Sequence, residues 1–93
     1  MAESGLAQYK KVLRLVHKWT VKRGDPKLTT SMIQDAFKIE AGIVDERKVW
    51  ENIQTMCRVG YLLPIQAGVG MMDRIYQIGE DGLALISEKE AEG

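Results

Sequence analysis

Residues 48–65, KVWENIQTMCRVGYLLPI, keep an apolar rhythm up to a glycine and continue as a short run of bulky residues. Val49, Ile53, Met56 and Gly60 recur at i, i+4, i+7 and i+11, which at about 100° per residue is one face of a helix. Trp50 and Cys57 stand at the border of that face, and Arg47, Lys48, Glu51, Gln54, Thr55 and Arg58 fill the opposite arc. Asp45 suits the start, because its carboxylate accepts from amides that a first helical turn leaves unpaired. Gly60 suits the end, as a left-handed cap. The pattern predicts a helix that is greasy behind and polar in front, leading into a strand.

Ahead of it, Leu6, Tyr9, Val12, Leu13, Val16 and Trp19 form an apolar stripe at helical spacing, and Lys10, Lys11, Arg14, Lys18 and Lys22 share another face. Gly24, Asp25 and Pro26 end that first helix. Lys27, Leu28 and Thr29 leave room only for a very short strand. A second helix follows, with Ser31 and Gln34 spaced as a capping box and Ile33, Ala36 and Phe37 turned inward. Gly42 closes it, and the apolar pair Ile43 and Val44 predicts a packed turn.

Behind it, residues 61–66 and 74–78 are β-rich runs around the loop AGVGMMD, which predicts a loose hairpin. Pro64 has no N–H to give a ladder, so its strand should be the outer one. Gly79, Glu80 and Asp81 open a short last helix, with Leu83 and Ile86 expected inward. Residues 1–5 and 89–93 are expected to fray, and all 93 residues are read as one domain.

A hydrophobic share of 45% with 28% charged residues fits a soluble globular chain, and no apolar run is long enough to span a bilayer. The expected location is therefore cytoplasmic. Cys57 and His17 are the only residues of their kinds, so neither a disulfide framework within the chain nor a Cys/His metal site can be assembled, and no cofactor is expected. Cys57 is read as a small core residue and His17 as a surface or border residue. Nucleophile, base and orienting group gather nowhere, so the chain is not read as an enzyme. Net charge is zero, but residues 1–27 carry +5, residues 28–64 carry −1 and residues 65–93 carry −4. The chain is polarised from a basic start to an acidic end.

Helix, very short strand, helix, turn, helix, two-stranded ribbon, helix is the element order of a winged helix-turn-helix domain. The fold class expected is α+β, mainly α, with a three-helix core, a β-ribbon wing and a short C-terminal helix. The stretch VWENIQTMCRVGYL at 49–62 resembles the third helix and following strand of MarR- and PadR-type winged-helix regulators, with Ile53 and Met56 at the positions of two leucines three apart. RIYQIGEDGLALI at 74–86 is similar to the family segment that joins the second wing strand to the last helix. Gly79 departs from the family's threonine, and Val59 interrupts its charged pair before the glycine. In size and general pattern the chain also resembles archaeal plasmid partition adaptors.

The expected function is sequence-specific binding of double-stranded DNA by a homodimer, in transcriptional regulation or in plasmid DNA partition. An α-helix fits the major groove, where every base pair offers its own donor and acceptor pattern. Lys48 and Arg58 suit phosphate or guanine, Gln54 adenine, and Thr55 a thymine methyl. Glu51 either accepts from a cytosine amino group or pairs with Arg47 or Lys48. At the start of the second helix, Lys27, Thr29, Thr30 and Ser31 are candidates for the DNA backbone or for capping alone. The resemblance implies a wing lying along the backbone or in the minor groove, with Gly68, Gly70 and Arg74 as contacts. Met71 and Met72 at its tip are wedged against the domain, inserted at a base step or turned to another chain. Leu15, Trp19 and Leu85, with Val21 and Trp50, are candidates for the dimer interface. The partition resemblance implies a centromere-like site, spreading along adjacent DNA and a partner partition protein. The alternative is a winged-helix protein-interaction module without direct DNA readout.

Overall fold

The computed structural model describes residues 5–66, 70 and 74–87. They form four helices and a small antiparallel sheet, an α+β arrangement that is mainly helical: α1 (Gly5–Arg23), β1 (Leu28–Thr29), α2 (Thr30–Ala41), α3 (Glu46–Arg58), β2 (Leu62–Gln66), β3 (Ile75–Ile78) and α4 (Glu80–Ser87). Of the ends expected to fray, only Gly5 is described, and it starts α1.

Three helices meet on one core. Val12, Leu13 and Val16 from α1, Ile33, Ala36 and Phe37 from α2, and Val49, Ile53 and Met56 from α3 are all buried, joined by Leu28, Leu62 and Tyr76 from the strands. Each helix is amphipathic, so hiding its apolar stripe removes it from water at roughly 25 cal/mol per Å² of apolar surface. The strand order is β1–β3–β2, with Leu28 opposite Tyr76 and Leu62 opposite Ile78. Pro64 therefore lies on an edge strand, as its missing N–H demands, and the register slips between Pro64 and Gln66.

The helix ends are held by side chains and by glycine. Asp45 accepts from the Arg47 amide at 2.9 Å at the head of α3. At its foot Gly60 turns left-handed at φ 89°, and the Tyr61 amide bonds back to the Met56 carbonyl at 2.8 Å. Gly42, φ 68°, ends α2 in the same hand. The expected capping box is corrected: Thr29, not Ser31, caps α2, accepting from the Met32 amide at 3.1 Å. The helix starts early because Thr29 is still extended at the end of β1, which puts its hydroxyl over the first turn. The turn after Gly42 is only half packed, with Ile43 partly buried and Val44 71% exposed.

α4 is rotated from its expected setting. Leu85 is buried and Leu83 is 44% exposed, the reverse of what the sequence suggested for Leu83. The cause is Gly82, where a Cβ would stand 2.3 Å from the Tyr61 carbonyl oxygen. Only a bare backbone can come that close, so Gly82 faces inward and brings Leu85, three residues on, with it.

Candidate nucleic-acid interface

The α3 helix presents two unlike faces. Val49, Ile53 and Met56 are almost fully covered, whereas Arg47, Lys48, Glu51, Gln54 and Arg58 are exposed. Thr55 is half-buried, and its hydroxyl donates to the Glu51 carbonyl at 3.1 Å. All six predicted residues of this arc therefore belong to one helix surface, with Thr55 at its margin.

Two contacts invisible in the sequence brace that surface. Tyr9 of α1 donates its hydroxyl to Asn52 Oδ1 at 2.8 Å, and Asn52 Nδ2 donates to the Lys48 carbonyl at 2.8 Å. The Tyr9 ring also meets Phe37 and Tyr61 edge to face, with centroids 6.4 and 6.1 Å away. Burial raises the Tyr9 phenol above its ordinary range, with Thr55 working in the opposite direction. On the other flank the Arg74 guanidinium lies over the Trp50 ring, 4.9 Å from its centroid. A cation so placed is drawn to the ring's negative face, which ties the base of the hairpin to α3.

Arg74 is half-buried at the foot of β3, and its carbonyl accepts from the Thr30 hydroxyl at 3.4 Å. Its Nε is buried without a hydrogen-bond partner among the described residues. The Tyr76 hydroxyl is likewise buried, beside Thr30 and Arg74 but without a hydrogen bond of good geometry, and its ionisation is pushed up chiefly by that burial. Burial also raises the Cys57 thiol, against the pull of the Arg74 charge, which makes Cys57 a poor nucleophile.

Around the start of α2 the expected phosphate contacts divide. Lys27 and Ser31 are exposed. The Lys27 backbone is fixed at both ends, its amide donating to Asp25 at 3.0 Å and its carbonyl accepting from Arg23. Thr29 spends its hydroxyl on the cap. Thr30 is corrected: it is fully buried, so its side chain cannot meet a phosphate. Nothing but its place beside Thr29 distinguished it in the sequence. Of the hairpin residues, Gly70 is exposed, while Gly68, Met71 and Met72 lie outside the described residues.

Leu85 is corrected as an interface residue, being 6% exposed within its own chain's core. Leu15 and Trp19 are half-buried and pack against the core, whereas Val21 is 66% exposed. Among the described residues no three His, Cys, Asp or Glu side chains group as a metal site would need, and no helix is long and apolar enough to cross a membrane. No protein-family model matches the sequence, and searches of curated proteins and solved structures give no significant match.

Proposed function

We propose that the chain is a winged helix-turn-helix protein that binds double-stranded DNA sequence-specifically as a homodimer, with α3 as the recognition helix and the β2–β3 hairpin as the wing. One observation carries the reading. α3 is seated by Val49, Ile53 and Met56 while Arg47, Lys48, Glu51, Gln54 and Arg58 stand exposed on its other side. A helix about 10–12 Å across enters a major groove about 12 Å wide only if such a face stands clear of the rest of the protein.

In this reading Lys48 and Arg58 neutralise phosphates or meet guanine, and Gln54 pairs with adenine. Thr55 offers its methyl at the margin. The brace of Tyr9 on Asn52 and of Arg74 on Trp50 keeps the helix from rocking, so that base contacts form at little further cost in side-chain order. Doubling by a two-fold axis gives the site length that one helix lacks. Such a protein works beside DNA in the cytoplasm, at a promoter as a transcription regulator or at a centromere-like plasmid site in partition, where it would also meet a partner protein.

The test is binding of the purified chain to duplex DNA from the region flanking its own gene, across a salt series. Affinity should fall with a log–log slope of about −0.9 per phosphate neutralised. Footprints should form a palindrome with half-sites about one helical turn apart. No binding to any duplex at low salt would sink the proposal. A protein-interaction module is the second reading, favoured by Leu63 and Ile65, which stand 48% and 41% exposed on the hairpin, and by the zero net charge.

A further inference from the structure

Two open hollows of about 550 and 500 Å³ adjoin beside the sheet and α4, sharing Gln77, Ile78 and Leu83. One reaches back to Asp25 and Pro26, and the other opens between the foot of α3, at Cys57 and Gly60, and the head of α4, at Glu80 and Asp81. Their apolar lining is exposed at Val21, Leu63 and Leu83. Their charge has one sign. The described residues that line them include three carboxylates, Asp25, Glu80 and Asp81, and neither lysine nor arginine.

Asp25 is offset by Arg23, whose guanidinium lies on the Asp25 and Lys27 carbonyls, so the negative charge gathers at Glu80 and Asp81. Asp81 is laid over Gly60, where a Cβ would stand 2.5 Å from its Oδ2. The foot of α3 adds the negative end of a helix dipole. The head of α4 supplies about half a positive charge, too little to cancel two carboxylates.

This combination selects its occupant. Nucleic acid, acidic protein and anionic lipid are repelled. A second copy docked patch to patch would set Glu80 and Asp81 against their own counterparts. The surface is too open to enclose a small molecule, whose sites bury most of their ligand. We infer that this face docks a basic, leucine-bearing segment of a different protein, its cation seated at Glu80 and Asp81 beside Gly60 and its apolar side chains over Leu63, Ile78 and Leu83. Opposite charge at the rim sets the register, and the apolar floor holds the segment. The inference goes beyond the DNA reading and does not need it.

Titration of the full isotope-labelled chain with a short peptide of lysine and leucine, followed by heteronuclear NMR, tests it. Amides of residues 60–63 and 77–83 should shift saturably, and a peptide of glutamate and leucine should move none of them. Glu80→Gln with Asp81→Asn should raise the dissociation constant about tenfold, and Leu83→Gln should raise it severalfold, with circular dichroism unchanged because all three positions are exposed. Asp35→Asn with Glu51→Gln removes the same charge from exposed positions elsewhere and should leave binding unmoved. Absence of saturable binding overturns the inference, as does binding insensitive to Glu80→Gln with Asp81→Asn. Shifts of the same amides on concentrating the chain alone would make a second copy the occupant and overturn it too. Duplex binding measured in parallel separates the two claims: a chain that binds duplex but not the peptide defeats only this surface, and one that binds the peptide but no duplex defeats only the role given to α3.

Discussion

α3 and α4 both lie against the core, but they are held by different means. α3 is held by side chains: Val49, Ile53 and Met56 reach inward and are almost fully covered. α4 is held by backbone contact. The chain at Gly60 and Tyr61 passes so close that a Cβ at Gly79 would stand 2.3 Å from the Gly60 carbonyl oxygen, and one at Gly82 equally near that of Tyr61. Side-chain packing tolerates adjustment, because rotamers can shift and refill space. Backbone contact tolerates almost none. The difference teaches that α3 has latitude to vary its outer face, while α4 is a fixed clasp on the strand leaving α3.

The comparison breaks first at Gly82. Gly82→Val should cost about 3 kcal/mol or more, since the new methyls collide with a carbonyl and with Ile78; chemical denaturation measures it. A loss below about 0.5 kcal/mol would mean that α4 floats. Ile53→Ala should cost about 2–4 kcal/mol by the same assay, as an aliphatic cavity that neighbours only partly fill.

On the outer face of α3 stability should hold while binding changes. Gln54→Ala should cost about 1–3 kcal/mol on the cognate duplex and relax base preference there, with nonspecific affinity unchanged. Lys48→Ala or Arg58→Ala should instead weaken all duplexes alike and lower the salt slope by about one. The reverse outcome would rotate α3 in its groove. Tyr9→Phe should cost about 1 kcal/mol of stability by leaving Asn52 short of a donor.

Stability should also decline at high pH. Tyr9 and Tyr76 hold their protons more tightly folded than unfolded, so this contribution is intact below the ordinary phenol value near 10 and is lost as pH rises through the raised values. Thermal melts from pH 8 to 11 test it, and a flat profile would count against the burial of both hydroxyls.

The same contrast explains what was legible in the sequence. The inward and outward faces of α1, α2 and α3 follow from side-chain periodicity, which a sequence displays directly, except at Leu6, which stands 51% exposed at the start of α1; the caps at Asp45, Gly42 and Gly60 are legible too. The orientation of α4 escapes the pattern because a glycine inside a helix exerts its control through an absent side chain, while hydrophobic spacing favours Leu83 over Leu85. Thr30 reads from sequence as a phosphate contact or a cap, and one residue's slip in a helix start exchanges an exposed hydroxyl for a buried one. The Tyr9–Asn52 and Arg74–Trp50 contacts join residues 43 and 24 positions apart, and no local pattern announces them.

Pro64 and the register slip after it have a consequence for crowding. The outermost strand displays Leu63 and Ile65, an invitation to stack into fibres were its amide row unbroken. With one amide missing and the next residue out of step, an incoming ribbon finds no continuous rail to zip onto. Many copies gathered at close quarters can then touch through their side chains and come apart again, instead of fusing into an endless sheet.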